Sequence, residues 1–449
     1  MPIATSGHAC DMNTAIQRLF NVRREEVLPL VLAALFFFCV LTALMVLRPA
    51  REALGLQGGI DMVRWLFMGT ALVTLLVNPV FGLLVSRLPR LKFINATYAF
   101  FALSLFAFYL AMVLSPQAMG VTTGQVFYVW FSVFNLFVTM VFWALMVDRF
   151  SLDQGKRFFG LIAVGGTCGA IFGPWLASQL AAPLGTPALL LIAIGFLILA
   201  MVIARAVARV QPEQQRPASA SLINEPAVIG GSAWEGFRAV WRSRYLKGIA
   251  GYIVILAIMA TFIYFTRLQM VAALGDDMDM RTTVFARIDL ITQLATLFMQ
   301  ALIAGHLMRR IGVHLTLALL PLTAALGFAG LAIVGSLAAL IVLEACFRAV
   351  QRAIMRPARE TLYTVLSRED KYKSKAFVDT FVYRGGDVAG AWVEGLLGRL
   401  GLALAGVASV AVPLALAWAV LGMWLGRAQQ RLATQPPATG TVAPRTQAT

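Results

Sequence analysis

The 449-residue sequence has few charged, cysteine and histidine residues. Only 13% of its residues are charged, whereas a soluble globular chain has about a quarter. Its four cysteines form no CxxC pair, and with three histidines they give neither a disulfide framework nor the spacing of a zinc site. The sequence also lacks a P-loop, an HExxH motif and a GxSxG motif. We therefore expect no enzyme activity, no metal and no cofactor.

What the chain has instead is long apolar runs. Hydrophobic residues make up 60% of the chain, and the mean hydropathy is +0.80. The runs are about 20 residues long, the length that a helix needs to cross about 30 Å of hydrocarbon. We predict an all-α polytopic membrane protein with twelve transmembrane helices in two pseudo-symmetric six-helix halves. The predicted spans are 27–47, 64–86, 93–114, 125–147, 158–181, 187–209, 246–268, 283–305, 313–334, 337–358, 376–398 and 402–425.

Polar segments divide the chain. Residues 1–26 are predicted to be an N-terminal segment with a short amphipathic helix, followed by the N-terminal half at 27–209. Residues 210–245 form a linker that begins rich in Pro, Gln, Ser and Ala. It ends with aromatic and basic residues at helical spacing, which indicates an amphipathic helix on an anionic membrane surface. The C-terminal half is 246–425, and 426–449 is predicted to be a disordered tail.

Basic residues predict the orientation. Segments on the same side as the N-terminus and the linker hold 27 Lys and Arg, and those on the other side hold 6. Because cytoplasmic segments carry the excess of positive charge, both termini and the linker are predicted to be cytoplasmic. The same distribution, in short segments between apolar runs, argues against nucleic acid as a partner despite the net charge of +16.

Two sequence segments of the first half each have a similar segment at the corresponding place of the second half, which predicts that the halves are pseudo-symmetric. Gly82–Lys92 and Gly305–Gly312 fall at corresponding places of the two halves, and both resemble the G-x-L-x-D-R-x-G-R-R loop of the major facilitator superfamily. Phe158–Ala170 and Val378–Ala391 form a second pair at a similar separation. The resemblance implies a carrier whose two halves rock about a central site.

Four further segments resemble the ATP/ADP (nucleotide) translocases of plastids and obligate intracellular bacteria, together with their bacterial relatives. They are Leu47–Leu54, Trp143–Asp148, Lys156–Phe158 and Lys373–Asp379, and the resemblance extends over about residues 14–430. It implies exchange or uptake of nucleotides or other anionic metabolites across a bacterial inner (cytoplasmic) membrane. The chain departs from the translocases at Arg51, where they have lysine, and at an acid, Asp387, where they tend to be basic or small.

Ionisable residues inside the predicted spans are the candidate site, because such residues are costly in a membrane and mark pathways or binding sites. Span 10 places Glu344, Arg348 and Arg352 on one helix face. Span 11 adds Arg384 and Asp387 three positions apart. Arginine forms bidentate bonds with carboxylates and phosphates, which favours an anionic substrate.

Spans 8 and 1 contribute the remaining candidates. Span 8 carries Arg287 and Asp289, and Arg51 lies at the outer end of span 1 beside Arg48 and Glu52. The candidate substrate-binding residues are Arg51, Arg348, Arg352 and Arg384, and the candidate ion-coupling residues are Asp289, Asp387 and Glu344. Two simpler interpretations stay open. The charges could pair only to hold the C-terminal half together, and those of span 1 could extend to the membrane interface.

Three functions follow from these observations. The first is a secondary transporter that exchanges or takes up an anionic organic metabolite by alternating access, with nucleotides as the first candidates. The second is proton-coupled export of a small amphipathic compound, with Asp289 or Asp387 carrying the proton. The third is a membrane interaction or lipid-handling protein without transport. Separately, Gly165, Gly169 and Gly173 recur at every fourth position in span 5, a stripe that predicts close helix packing and no ligand role.

Overall fold

The computed structural model describes residues 23–87, 90–114, 116–210, 233–302, 304–402 and 404–434. Every regular element among these residues is a helix, so the all-α prediction is confirmed. The predicted N-terminal amphipathic helix, most of the linker and the end of the tail lie outside the described residues.

A helix overlaps each of the six predicted spans of the N-terminal half. These helices are α1 (Arg24–Leu56), α2 (Ile60–Arg87), α3 (Arg90–Leu114), α4 (Pro116–Arg149), α5 (Leu152–Leu184) and α6 (Thr186–Val210). The linker ends in a separate helix, α7 (Ala233–Arg242), as the spacing of its aromatic and basic residues predicts.

The second half follows the same order, but two of its spans are interrupted. Its helices are α8 (Arg244–Ala272), α9 (Met278–Leu302), α10 (Ala304–Val334), α11 (Leu337–Val350), α12 (Arg356–Leu362), α13 (Arg368–Phe377), α14 (Tyr383–Arg399) and α15 (Leu404–Thr434). π-Helical turns at Gln351–Met355 and Val378–Val382 join α11 to α12 and α13 to α14. Within α10, Gly312 interrupts the helix with a φ of 73°, a left-handed conformation that glycine adopts easily.

Eight helices in the described part of the chain are long and apolar enough to cross a membrane. They are α1, α3, α4, α5, α6, α8, α10 from Ile311 onward and α15. The π-turns divide two of the other predicted spans into helices of 7 to 17 residues. The total of twelve spans and the domain boundaries therefore stay predictions.

Two helices extend beyond the predicted ends of their spans. Helix α1 continues past the predicted end at residue 47 as far as Leu56 and contains Pro49. Proline lacks an N–H and is often a helix boundary, but transmembrane helices tolerate it where neighbouring groups satisfy the freed carbonyl. The last helix runs to Thr434, which lies nine residues past the predicted end of span 12 at residue 425 and within the predicted tail.

The glycine stripe of α5 packs closely against a neighbouring helix, as predicted, and that helix is α1. A Cβ atom built on Gly165 would overlap the carbonyl oxygen of Ala34, and one on Gly169 would overlap that of Phe38. A Cβ on Gly173 would lie 2.8 Å from the Cβ of Met45. Since the obstacles at Gly165 and Gly169 are backbone atoms, only glycine permits this approach.

Three clusters of buried apolar residues form the interior. The first is built almost entirely from α1 and α3–α6, and the second from α7, α8 and the helices that follow α9. A third, smaller cluster joins them and includes Tyr128 from α4, Tyr264 from α8 and Phe285 from α9. We call the side where α6 ends and α8 begins the linker face, and the opposite side the distal face.

Candidate functional site

Arg267 of α8 is the centre of a buried charge network. Its side chain is fully buried, and its Nη1 donates to Asp289 Oδ1 at 3.2 Å and to Glu344 Oε1 at 3.3 Å. Its Nη2 lies 3.6 Å from Oε1 of Glu52. One arginine thus links carboxylates from α1, α9 and α11, which connects the two halves of the chain.

Two more arginines share these carboxylates from the edge of the network. Arg48 Nη1 lies 3.6 Å from Asp289 Oδ1, and Arg348 Nε donates to Glu344 Oε1 at 2.8 Å. Their side chains are 17% and 20% exposed, whereas both carboxylates are buried. Arg48 and Arg348 are therefore the members of the network that a ligand could reach.

Tyrosines complete the distal side of the network. The hydroxyl of Tyr264 donates to Glu52 Oε2 at 2.6 Å and lies 2.6 Å from the hydroxyl of Tyr128. Arg51 pairs with Glu52 at 2.9 Å, and its guanidinium lies 3.7 Å from the centre of the Tyr128 ring. These contacts hold Arg51 on the distal side of the network.

Arg352 lies next to the network with a neutral partner. Its Nη1 donates to the side-chain oxygen of Gln293 at 2.6 Å. Five arginines (48, 51, 267, 348 and 352) thus accompany three carboxylates (52, 289 and 344), which leaves a surplus of two positive charges. Buried ion pairs are tolerated when charges balance, so a surplus of this size indicates a place for an anion.

Arg384 and Asp387 form a separate pair on α14. Arg384 Nη1 donates to Asp387 Oδ2 at 3.3 Å. The Arg384 side chain is 40% exposed and that of Asp387 is 8% exposed. Among the described residues no hydrogen bond or ion pair joins this predicted pair to the Arg267 network; its cation is accessible and its carboxylate is buried.

The candidate arginines of α11, the π-turn after it and α14 lie several helical turns from the distal ends of their helices. Arg348 and Arg352 lie about three and four helical turns, or about 16 and 22 Å, from the distal end of their span at Leu337. Arg384 is likewise about four turns from the distal end of α14 at Arg399. All three lie closer to the linker face than Glu52, which is in the last turns of α1 before Leu56.

Both π-turns adjoin these residues. Gln351–Met355 contains Arg352 and begins just after Arg348, and Val378–Val382 ends just before Arg384. A π-turn adds a residue to the helix and changes which side chains share a face, and such turns are frequent at functional sites. The two interruptions of the helical ladder therefore coincide with the candidate binding arginines.

Several buried polar atoms of the network have no hydrogen-bond partner among the described residues. Arg267 Nε and Nη2, Asp289 Oδ2 and Glu344 Oε2 are buried and make no hydrogen bond to any described residue. Buried polar groups in proteins are nearly always hydrogen-bonded to protein, water or ligand. The network can therefore accept further partners, or exchange partners, without creating new orphaned groups.

The structure corrects three expectations about the site. Arg287 is exposed on α9 and does not join Asp289, because residues two apart on a helix point to different sides. Glu52 is 1% exposed and pairs inside the protein, so the charges of α1 do not extend to the membrane interface. The network also joins both halves and does more than hold the C-terminal half together.

Its central residue, Arg267, was not predicted. It lies next to the predicted end of span 7 at residue 268, where a basic residue is ordinarily interfacial. The sequence after Arg267 indicates that the helix continues past it, because no glycine or proline occurs until Gly275. In the structure α8 runs on to Ala272.

The sequence profile of the Major Facilitator Superfamily matches residues 30–355 of the chain. A comparison with curated proteins found no match.

Solved transporter structures share the fold at low sequence identity. A bacterial homologue of the human lysosomal transporter Spinster, inward-facing and unoccupied, aligns with a TM-score of 0.57 at 12% identity, covering 93% of this chain and 100% of that one. An inward-facing bacterial homologue of the iron transporter ferroportin gives 0.60 at 12% identity, covering 91% and 98%. An auto-inhibited peptide transporter of the POT family gives 0.56 at 12%, covering 93% and 98%.

Proposed function

Because this chain belongs to the Major Facilitator Superfamily, we propose that it is a secondary transporter that exchanges or takes up a small anionic organic metabolite. Alternating access between the two faces moves the substrate, as the two-halved fold allows. The fold comparisons support transport only in general terms, and the substrate class is inferred from the charges inside the membrane.

The observation that carries the proposal is the surplus of two positive charges beside accessible arginines. Arg348 is partly exposed and shares Glu344 with Arg267, and Arg352 has only the neutral Gln293 as its hydrogen-bond partner among the described residues. A guanidinium binds carboxylate or phosphate through two parallel hydrogen bonds. An anion at Arg348 and Arg352 would compensate the surplus charge.

Nucleotides are the first candidates because of the resemblance to the ATP/ADP translocases. Their phosphates suit a group of arginines, and Arg51 keeps the positive charge of the translocase lysine. In the structure Arg51 is held by Glu52 and by the ring of Tyr128. Arg51 would therefore bind substrate only after this distal contact opens, whereas Arg348 and Arg352 need no such step.

Uptake into proteoliposomes tests the proposal. Labelled ATP, ADP and a panel of organic anions would be offered to the wild type and to Arg348→Lys and Arg352→Gln. We expect saturable transport of at least one anion, weakened about tenfold or more by either substitution, since one charge-assisted hydrogen bond contributes about 1.5–3 kcal/mol. Arg287→Gln is the matched control because Arg287 is exposed and outside the network. Equal loss in the control, or transport of cations only, would overturn the anionic assignment.

Proton-coupled export is the second candidate, and the buried carboxylate of Asp387 favours it. Its ion-pair partner among the described residues, Arg384, is largely accessible and 3.3 Å away. The double variant Arg384→Leu/Asp387→Leu separates the roles of the pair. Normal abundance with normal transport would show that Arg384 is only a partner of Asp387. Normal abundance without transport is expected if either residue binds substrate or proton, and single variants assayed with and without a pH gradient then distinguish the two.

The orientation with both termini in the cytoplasm of a bacterial cell is part of this proposal. In a variant without native cysteines, Asp276→Cys on the distal face should react with a membrane-impermeant thiol reagent in intact cells. Gln430→Cys, near the linker-face end of α15, should react only after permeabilisation. The reverse pattern would invert the orientation without affecting the transport proposal.

A further inference from the structure

Helix α7 lies at the membrane boundary and is docked on α13. A single residue, Ser243, separates it from the membrane helix α8. A Cβ atom on Gly236 would lie 2.7 Å from the carbonyl oxygen of Lys373 and 2.7 Å from the Cβ of Phe377. The ring of Phe237 also meets that of Phe377, with centroids 5.9 Å apart. Glycine thus allows α7 to approach the backbone of α13.

The rest of α7 presents aromatic and basic side chains outward. The rings of Phe237 and Trp241 stack at 5.7 Å, and Trp241 is 65% exposed. Arg238 and Arg242, one turn apart, are both exposed. The ammonium of Lys247, in the first turn of α8, lies 5.0 Å from the centre of the Trp241 ring. Exposed tryptophan together with basic residues is typical of surfaces at the level of lipid headgroups.

Two clefts adjoin the pair of arginines. One, of about 430 Å³, lies between α7, the start of α8 and α13; its polar lining is Arg238, Arg242, Ser243, Asp370 and Lys373, and its apolar lining includes Leu246 and Leu366. The other, of about 490 Å³, is lined by Phe237, Arg238, Trp241 and Arg242. Arg238 and Arg242 line both clefts, and Asp370 in the first cleft already accepts a hydrogen bond from Ser367 at 2.9 Å.

We propose that this surface is a binding site for an anionic phospholipid, with the headgroup phosphate held by Arg238 and Arg242 at the cleft and the glycerol and acyl region beside Phe237 and Trp241. Charge complementarity selects an anion, and the neighbouring apolar surface selects a lipid over a free ion. The position one residue from a membrane helix places the site where such headgroups occur.

The site links lipid binding to the candidate transport site. Helix α13 continues through the π-turn Val378–Val382 into α14, which carries Arg384. A lipid held between α7 and α13 therefore stabilises the docked position of α13 and the entry into α14. The proposal does not depend on what the protein transports.

Native mass spectrometry of the purified full-length protein tests the site with phosphatidylglycerol and phosphatidylcholine as probes. We expect retained phosphatidylglycerol in preference to phosphatidylcholine, and about thirtyfold weaker retention in Arg238→Gln/Arg242→Gln, given the contribution of each basic residue near an anionic surface. Amide hydrogen exchange of α13 should slow on addition of phosphatidylglycerol to the wild type and stay unchanged in the variant.

A matched control is available at the same face of the membrane. Arg205 and Arg209 are also exposed and one turn apart, at the end of α6. Arg205→Gln/Arg209→Gln should keep wild-type retention and the exchange response. Equal weakening in both double variants would show non-specific charge attraction and overturn the site. Inorganic phosphate competing as well as the lipid at equal concentration would overturn the assignment to a phospholipid.

Discussion

The ion pairs described next differ in whether they join the two halves of the chain or lie within one half. On the distal side, Arg64 of α2 donates to Glu394 of α14 at 2.8 Å, which joins the two halves. On the linker face, Arg157 of α5 pairs with Glu26 of α1 at 2.9 Å, within the N-terminal half. Lys375 pairs with Glu360 at 2.5 Å, within the C-terminal half.

The same difference extends into the membrane. The bonds of Arg267 with Glu52 and of Arg48 with Asp289 cross between halves, and so does the bond of Tyr264 with Glu52. Glu52 lies closer to the distal face than Arg348 and Arg352. In the described part of the chain these contacts hold the two halves together on the distal side, and we propose that substrate reaches Arg348 from the linker face.

The network contacts that join the two halves would have to break during alternating access. Opening the distal face requires the separation of cations and carboxylates that are buried together, which costs several kcal/mol unless new partners replace the old. A bound anion can supply a new partner, because Arg48 and Arg348 are the accessible cations bonded to Asp289 and Glu344. Substrate binding would thereby weaken the distal contacts. This is a proposal that rests on the proposed transport.

The largest effect is expected from Arg267→Leu. It removes the buried cation shared by Glu52, Asp289 and Glu344, so that each of these carboxylates keeps only its arginine at the edge of the network. The expected loss of stability is about 3–5 kcal/mol. Membrane abundance and thermal unfolding in detergent measure it, with the exposed Arg287→Leu as control. If both variants were equally abundant and stable, the network would not hold the halves together.

Gly169→Leu should be the next most damaging. The Cβ of any larger residue would overlap the carbonyl oxygen of Phe38, so α5 would have to move away from α1. We expect low abundance because this packing lies inside one half and has no flexible side chain that could move. Gly160→Leu is a matched control on the same helix, since no atom lies within 4 Å of a Cβ there. Similar abundance of the two variants would contradict the packing role.

The fold and the position of the polar stretch could be predicted from the sequence because both are local signals. Apolar runs of membrane length, the linker and the helical spacing of Glu344 and Arg348 need no tertiary information. The glycine stripe of α5 is likewise a local sequence signal. Its partner helix was not predictable, since the stripe alone does not say which helix approaches.

The network was only partly predictable because its contacts are long-range. Arg267 and Glu52 come from opposite halves of the sequence, and no periodicity connects them. The predicted first span ends at residue 47, which puts Arg48 and Glu52 at its outer end, whereas α1 continues to Leu56. What the sequence did indicate was that charges inside the spans need partners. The identity of those partners came from the packing of α1, α8, α9 and α11.

Loss of the distal pair Arg64–Glu394 should have a moderate effect on opening, whereas loss of the linker-face pair Arg157–Glu26 should have none. Arg64→Gln removes the two hydrogen bonds that Nε and Nη2 of Arg64 donate to Glu394 Oε2, and should increase the fraction of time for which the distal face is open. Ala53→Cys, buried in the cluster that joins the halves, reports this opening through its labelling rate in a variant without native cysteines. Arg157→Gln breaks a pair within one half and should leave labelling unchanged. Equal rates in the two variants would remove the distinction between the faces.

The smallest effect is expected at Glu360 and Lys375 on the linker face. Burial raises the pKa of Glu360, but hydrogen bonds from Lys375 and Arg359 outweigh it, so its pKa lies below the ordinary value of 4.5. A carboxylate with a lowered pKa adds stability above its ordinary pKa and loses that contribution as the pH falls through its folded-state pKa. Lys375→Gln should therefore cost about 1 kcal/mol or less at pH 7, as partly exposed pairs do.

The pH dependence of that cost identifies its cause. Once Glu360 is protonated it no longer attracts Lys375, so the difference in unfolding temperature between Lys375→Gln and the wild type should shrink as the pH falls below 4.5. Lys371→Gln on the same helix is the control, and its small difference should not depend on pH in this range. A Lys375→Gln difference that stayed constant from pH 7 to acid would mean that packing of the lysine chain, and not the ion pair, holds α13 against α12.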